Sequence, residues 1–345
     1  MKDFLLLEDG TVFLGRSVGA DGVALGEAVF TTAMSGYQEI VTDPSYSEQL
    51  VCFTAPMVGN YGIAQQRSES SSIHARAALM RRAGGEAWTR WLAEQDVVAL
   101  EEIDTRSLVL HLRDGGAMRA AAVSGEASVD EVLARIRALQ PMAGQALVVG
   151  VSATEPYRLG KRGPHVAVLD FGVKHSILRR LVGAPARVTV FPHVVDAASI
   201  VAARPDGILL SNGPGDPAAL PGELETVRSL LGRVPILGIC LGHQLLGLAA
   251  GLRTFKLPFG HRGANHPVLE IATNRVLVTS QNHGFAVEGE SPEVTHVSLY
   301  DGTVEGLGFE GACSLQFHPE AGPGPHDAWP LLEAWVEELR FAKAA

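Results

Sequence analysis

The segment G-I-C-L-G-H-Q around Cys240 constrains the fold of this chain more than any other feature. It follows the apolar run 234–237 and precedes the helix-like stretch 244–248. A strand, a sharp turn at a reactive residue and a helix form a nucleophile elbow, here with a thiol in place of a hydroxyl. Gly238 and Gly242 fit this pattern because larger side chains would crowd the turn. The free N–H groups at the start of the helix favour a thiolate at Cys240.

Two other interpretations compete for the same segment. Cys240 could be a small core residue at the end of a strand, as most buried cysteines are. The stretch 234–252 is also about as long as a membrane span, but Pro235, His243, Gln244 and four glycines would then lie in the bilayer. A buried strand followed by a buried helix fits this composition better.

Composition excludes several classes of protein. The 345 residues, 46% hydrophobic and 19% charged, are enough for about two globular domains. A net charge of −10 without a run of Lys or Arg argues against a nucleic-acid partner. The first residues, M-K-D-F-L-L-L-E-D-G, contain too short an apolar stretch for a secretion signal, so we expect a cytoplasmic protein without a membrane partner.

Cysteine usage agrees with a reducing compartment. Three cysteines are too few, and odd in number, for a disulfide framework. Cys52 and Cys313 lie in apolar strand-like runs, and we expect both to pack in the core.

The second half of the chain alternates strands with helices. Apolar runs at 165–171, 187–191, 207–211 and 234–240 predict strands, and helical stretches such as 176–181 and 223–231 lie between them. This order predicts an α/β domain with a mostly parallel sheet flanked by helices. Ligands bind beyond the carboxyl ends of such strands, where both Cys240 and the loop 211–217 (S-N-G-P-G-D-P) occur.

The first half predicts a mixed α/β domain. Strand candidates are 4–7, 11–14, 27–32 and 49–54, and helix candidates are 72–82, 86–95, 106–113 and 129–139. Residues 153–164 lack periodicity and contain several Gly and Pro residues, which is typical of a linker. We therefore expect a leading domain over 1–152, a linker over 153–164 and a second domain over 165–345.

A thiol nucleophile needs a base, a group that orients the base and an oxyanion hole. His318 follows an apolar strand in Q-F-H-P-E, so its ring could face Cys240, and Glu320 is close enough to orient it. Together they would form a Cys-His-Glu triad. The oxyanion hole would use the N–H of Leu241 and an N–H of the glycine-rich loop, from Gly213 or Gly215.

Two histidine-rich segments, 259–267 and 280–285, leave an alternative open. His261, His266 and His283 could converge on a zinc ion, but no C-x-x-C or H-E-x-x-H accompanies them. Loop groups that hydrogen-bond a substrate are the interpretation we favour, so we expect no metal. The chain also lacks the G-x-x-x-x-G-K-[ST] pattern of a P-loop, so it should not bind ATP in that way.

The elbow, the 211–217 loop and the His-Pro-Glu segment together resemble a class I, triad-type glutamine amidotransferase. In the first half, L-E-D-G at 7–10, S-G-Y-Q-E-I at 35–40, T-D-P-S-Y-S at 42–47 and I-D-T-R at 103–106 resemble the amino-terminal domain of carbamoyl-phosphate synthase small chains. With the histidine-rich segments, the resemblance runs the full length of the chain.

The resemblance implies a specific activity. Cys240 would be the nucleophile, His318 the base and Glu320 its orienting group in hydrolysis of L-glutamine through a thioester. Ammonia would pass to a large synthase subunit that makes carbamoyl phosphate for arginine and pyrimidine synthesis. The resemblance implies no cofactor in this chain, with ATP and Mg²⁺ bound by the large partner. The residues that it implies for glutamine binding are Ser45, Gly213, Gly215, Leu241, Gln244, Asn282, Gly284 and Phe285.

Two other functions compete with this one. The chain could be the glutaminase chain of another synthase, of the anthranilate or aminodeoxychorismate type, although those lack a leading domain of about 150 residues. It could also be a non-catalytic binding module of the same fold, but Cys240, His318 and Glu320 are all present.

Overall fold

The computed structural model describes residues 1–289 and 292–342. They form two compact units, one containing Met1–Ala143 and Pro258–Gly263, the other Gly144–Leu257 and the described residues from Ala264 onward. The division of the sequence at 153–164 stays a prediction, and residues 343–345 of the second predicted domain lie outside the described residues. Among the described residues, no helix combines the length and the apolar character that a membrane span requires.

The first unit is built on an eight-stranded mixed sheet with the order β2-β1-β8-β4-β5-β6-β7-β3. Its strands are β1 Lys2–Leu7, β2 Val12–Leu14, β3 Arg16–Ser17, β4 Gly22–Thr31, β5 Gln49–Phe53, β6 Ala77–Leu79, β7 Val98–Glu101 and β8 Met118–Glu126. Its helices are α1 Tyr37–Thr42, α2 Glu86–Glu94, α3 Thr105–Gly115 and α4 Val129–Ala138. The pairs β4–β5, β5–β6 and β6–β7 are parallel, and the other pairs of this sheet are antiparallel.

Alternate residues of the first sheet pack on opposite sides. Leu5 and Leu7 of β1 belong to a cluster with Leu108 and Leu112 of α3. Phe4 of the same strand packs with residues of α4 in another cluster. Since side chains alternate across a strand, one apolar strand supplies two cores.

The predicted helix over 72–82 is wrong. Residues 77–79 form β6, which lies between β5 and β7 in parallel pairing. The run Ala77-Ala78-Leu79-Met80 is fully buried, so it carries neither helical nor alternating periodicity. Tertiary pairing therefore decided the structure over the helix propensity of alanine.

The second unit, together with residues 258–263 of β14, contains a ten-stranded sheet with the order β15-β14-β16-β17-β18-β13-β12-β10-β11-β9. The strands are β9 Tyr157–Leu159, β10 His165–Asp170, β11 Arg187–Pro192, β12 Gly207–Leu210, β13 Ile236–Ile239, β14 Arg253–Glu270, β15 Arg275–Glu288, β16 Val294–Ser298, β17 Val304–Phe309 and β18 Ala312–Leu315. The helices are α5 His175–Gly183, α6 Ala197–Ala202, α7 Pro221–Leu230, α8 Leu241–Ala249 and α9 Trp329–Ala342.

The centre of this sheet is parallel and covered on both faces. Strands β11, β10, β12, β13 and β18 pair in parallel. Val166 and Val168 pack in a cluster with residues of α5 and α9, whereas Ala167 and Leu169 pack in a cluster with residues of α7 and α8. The predicted α/β class with a parallel sheet between helices is confirmed.

Two local expectations are wrong. The histidine-rich segments, predicted as loops, lie in the long strands β14 and β15. Their buried face carries polar residues such as His266 and His283, so the apolar alternation that marks a strand is missing. Cys313 on β18 is exposed, whereas Cys52 on β5 is buried as predicted.

The core against α9 should carry much of the second unit's stability. Leu332 is fully buried in the same core cluster as the sheet residues Val166 and Leu237, so Leu332→Ala should lower the free energy of unfolding by about 2–5 kcal/mol. Urea unfolding measures this change. Leu299→Ala, at a leucine that is 49% exposed, is the matched control and should change little. Equal effects of the two substitutions would contradict this assignment of the core.

Candidate active site

Cys240 occupies the turn between β13 and α8. Its backbone has φ 55 and ψ −103, a left-handed conformation that a non-glycine residue rarely adopts. A Cβ on Gly242 would lie 2.2 Å from the Leu210 carbonyl oxygen, and one on Gly238 would lie 2.6 Å from the Gly242 oxygen. The strand, turn and helix of the predicted elbow are therefore present, and both glycines are required by close backbone contacts.

Neighbouring strands hold the turn in place. The Cys240 N–H donates to the Leu315 oxygen at 2.9 Å, and the Gly242 N–H donates to the Ser211 oxygen at 3.0 Å. The Cys240 thiol is buried, and Sγ lies 3.5 Å from the Asn282 carbonyl oxygen, to which it can donate. The carboxyl ends of β12, β13 and β18 thus meet at the thiol.

The loop 211–217 packs against the residue after the cysteine. A Cβ on Gly213 would lie 2.9 Å from Leu241 Cδ2 and 2.1 Å from the Phe171 oxygen, so only glycine fits there. The N–H groups of Leu241 and Gly213 donate to no acceptor among the described residues. Two free donors on adjacent segments are what an oxyanion hole requires.

His318 and Glu320 form a buried pair. His318 Nδ1 lies 2.7 Å from Glu320 Oε1, and the backbone N–H of His318 donates to the backbone oxygen of Ser280 at 2.9 Å. The Cys240 side chain is close enough to raise the pKa of His318 by hydrogen bonding. His318 Nε2 has no hydrogen bond of ordinary geometry from the described residues, so this nitrogen is available for the thiol proton. Hydrogen bonds between a catalytic base and its nucleophile often shorten only when the substrate binds.

Lys174 is the third charged member of this cluster and was not predicted from the sequence. Its Nζ donates to Glu320 Oε1 at 2.8 Å and to the Gly322 oxygen at 2.6 Å, and its side chain is 2% exposed. It lies just beyond the carboxyl end of β10, the same edge as the 211–217 loop. That position is the signal that could have identified it.

Opposing effects set the charges of the cluster. Burial and the nearby Lys174 charge lower the pKa of His318, but the Glu320 carboxylate and hydrogen bonds to Cys240 and Glu320 together raise it more, so the net pKa lies above its ordinary value. Burial raises the pKa of Glu320, but Lys174 and His318 together lower it further than burial raises it. The cluster therefore favours an ionised Glu320 beside a basic imidazole.

His243 also lies beside the elbow but has different surroundings. Burial lowers its pKa to about 3, and Nδ1 lies 2.9 Å from Ser314 Oγ. A buried imidazole without a carboxylate partner stays neutral and is a weak base. Of the two histidines, His318 has the partners that a general base requires.

The predicted glutamine-binding residues are placed as follows. Gln244 is on α8, one turn after Cys240, and its Nε2 donates to the Phe285 oxygen at 2.8 Å. Asn282, Gly284 and Phe285 are on β15. Gly215, with φ +93, packs against residues 145 and 147. Ser45 belongs to the first unit, where its N–H donates to Asp43 Oδ1 at 2.9 Å; its part in glutamine binding stays a prediction.

Comparison with known proteins covers both halves of the chain. The family described as glutamine amidotransferase class-I matches residues 167–337, and the carbamoyl-phosphate synthase small chain, CPSase domain, matches residues 5–122. The carbamoyl phosphate synthase small chain of Vibrio vulnificus (strain YJ016) is 44% identical over an alignment that covers 97% of each chain. The chain belongs to the carbamoyl phosphate synthase small chain family.

Other members of the family agree. The small chain of Chlorobaculum tepidum is 46% identical over 98% of each chain. The pyrimidine-specific small chain of Lactiplantibacillus plantarum is 43% identical over 100% of this chain and 98% of its own. The resemblance drawn from the sequence motifs is confirmed, and these matches give no support to the glutaminase chain of a different synthase.

The raised pKa of His318 predicts how stability depends on pH. A raised pKa means that the folded state stabilises the charged imidazole. This contribution to the free energy of unfolding is fully present below the ordinary pKa of 6.5 and is lost as the pH rises through the folded pKa of about 10. The free energy of unfolding of the wild type should therefore exceed that of His318→Asn most near pH 6, and the difference should narrow toward pH 10. Urea unfolding across this range measures it. A difference that widened with pH would contradict the charge assignment.

Proposed function

We propose that this chain is the glutamine-hydrolysing subunit of a carbamoyl-phosphate synthase, with Cys240 as nucleophile, His318 as base and Glu320 as the group that orients the base. The observation that carries the proposal is the buried thiol on a strained elbow, with a histidine–carboxylate pair beside it. A thiol presented in this way is arranged for acyl transfer. Membership of the family supplies the context of a carbamoyl phosphate synthase.

The reaction follows from the positions of these groups. His318 is charged at neutral pH because its pKa is raised, so its Nε2 already holds the proton that the thiol has given up, and the thiolate Sγ attacks the carboxamide carbon of glutamine. The N–H groups of Leu241 and Gly213 donate to the oxyanion. The tetrahedral intermediate collapses with cleavage of the C–N bond, and His318 returns the proton to the departing ammonia. Water, activated by the same histidine, then cleaves the thioester and releases glutamate.

The remaining members of the predicted set recognise the substrate. Glutamine carries an amide, a carboxylate and an ammonium group, so its site needs several neutral donors and acceptors. We assign this role to Ser45, Gly213, Gly215, Leu241, Gln244, Asn282, Gly284 and Phe285.

The partner is a large synthase subunit that uses ATP. Ammonia released into water would be protonated and lost, so it has to pass directly to the site that consumes it. This chain lacks a P-loop, and we assign ATP and Mg²⁺ to the partner, with no cofactor or metal in this chain. The residues of the leading domain, 1–152, would dock the partner. We also propose a cytoplasmic location, because three cysteines are too few, and odd in number, for a disulfide framework.

Replacement of the nucleophile tests the central assignment. Cys240→Ser should abolish glutamine hydrolysis, because a serine hydroxyl is far harder to ionise than a thiol. Ammonia-dependent synthesis by the complex with the large subunit should survive. Cys313→Ser, at an exposed thiol, is the matched control and should keep wild-type glutaminase activity. Near wild-type hydrolysis by the Cys240 variant would mean that another residue is the nucleophile, and an inactive wild type would favour the non-catalytic alternative.

Coupling to the partner is tested separately. The isolated chain should hydrolyse glutamine slowly, and the rate should rise when the large subunit turns over ATP and bicarbonate, since hydrolysis without a consumer would waste ammonia. Glutamate release is measured with the chain alone, with the partner, and with the partner and its substrates. The three rates separate the effect of the partner's presence from the effect of its turnover. Equal rates in all three mixtures would refute the coupling.

A further inference from the structure

Gln316 is a buried residue of the site for which the proposed chemistry gives no role. It lies between β18 and His318 and is 0% exposed. Its Oε1 accepts a hydrogen bond from Gln244 Nε2 at 3.1 Å. Its own Nε2 is buried and has no hydrogen-bond partner among residues 1–289 and 292–342. A buried amide donor without an acceptor is costly and uncommon, so packing alone does not account for a glutamine at this position.

The contacts of Gln244 determine which way its amide faces. The Phe285 carbonyl lies 2.8 Å from one end of that amide, and a backbone carbonyl can only accept. The atom facing it must therefore be Nε2, and the opposite orientation would place two oxygens in contact. Gln316 Oε1 then takes the second hydrogen of the same nitrogen.

Both hydrogens of Gln244 Nε2 are donated to protein acceptors, so only the acceptor Oε1 of this side chain can bind a ligand. Its Oε1 receives no hydrogen bond from any described residue. Gln244 lies one helical turn after Cys240, about 6 Å along the axis of α8. In glutamine, the reacting carboxamide carbon and the α-ammonium nitrogen are separated by four bonds of about 1.5 Å each. An extended substrate held at Cys240 can thus place its ammonium near Gln244.

We propose that Gln316 is a positioning residue for substrate recognition: it holds the amide of Gln244 so that Oε1 accepts a hydrogen bond from the α-ammonium group of glutamine. This inference rests on the proposed glutaminase function. A hydrogen bond to a charged donor is stronger than one between neutral groups. If Gln316 Oε1 were removed, one hydrogen of Gln244 Nε2 would lose its partner, and only the contact with the Phe285 carbonyl would still hold the amide. The amide could then rotate about that single contact, and Oε1 would be held less firmly toward the ammonium group.

A pair of substrates that differ only in the ammonium group tests the role. The probes are glutamine and its α-deamino analogue, 5-amino-5-oxopentanoate. The wild type should prefer glutamine in kcat/KM. Gln316→Met keeps a side chain of similar length without the acceptor, and it should raise KM for glutamine about tenfold, as expected for a hydrogen bond to a charged group. The analogue should be affected little, so the preference for glutamine should fall by the same factor.

Two variants control this experiment. Gln316→Glu keeps an oxygen that can accept from Gln244, and it should retain the preference for glutamine. Gln66→Met, at an exposed glutamine of the first unit, should leave both substrates unaffected. The ratio of the two kcat/KM values is independent of the folded fraction of a preparation, so a loss of stability cannot imitate the result.

Several outcomes would overturn the inference. These are equal losses for both substrates in Gln316→Met, a wild type that does not distinguish the substrates, or a Glu variant as impaired as the Met variant. Calorimetric binding of the two probes to Cys240→Ser, with and without Gln316→Met, repeats the comparison without catalysis. Absence of hydrolysis by the wild type refutes the glutaminase proposal, whereas an unchanged binding preference refutes the role of Gln316.

Discussion

The candidate site depends on the close approach of α8 to the carboxyl ends of the parallel strands. Gly242 lies so near Leu210 that a single Cβ would come within 2.2 Å of its oxygen. This contact sets the first turn of α8 against β12, directly after Cys240, whose backbone has a left-handed conformation. The thiol, the free N–H of Leu241 and the loop after β12 are consequently held together by backbone contacts.

Buried charge is the second determinant of the site. Glu320 forms ion pairs with both Lys174 and His318, and all three side chains are at most 2% exposed. Removing ions from water costs free energy that their mutual attraction only partly offsets. Such a cluster is therefore a poor means of stabilising a fold. It is an effective means of holding an imidazole basic and correctly oriented, which is what the proposed chemistry needs.

The limits of the sequence patterns have physical causes. The short run that forms β6 is buried on both sides, so it shows no periodicity, and the helix expected over 72–82 was wrong. In β14 and β15 the buried face carries histidine, glutamine and asparagine, so a hydropathy pattern could not reveal strands there. Cys313 lies in a run of strand-forming residues, but the sequence could not indicate which face of β18 its side chain occupies.

The sequence by itself determined the elbow, the parallel α/β layers, the family and the candidate triad, because glycines beside a cysteine, buried strands and a His-Pro-Glu segment are local patterns. Only the tertiary structure decided that Lys174 pairs with Glu320, 146 residues away, and that Gln316 orients toward Gln244, 72 residues away. Both contacts join chain segments brought together at one edge of the sheet. Local propensity contains no information about such partners, since they arise from the order in which the strands pair.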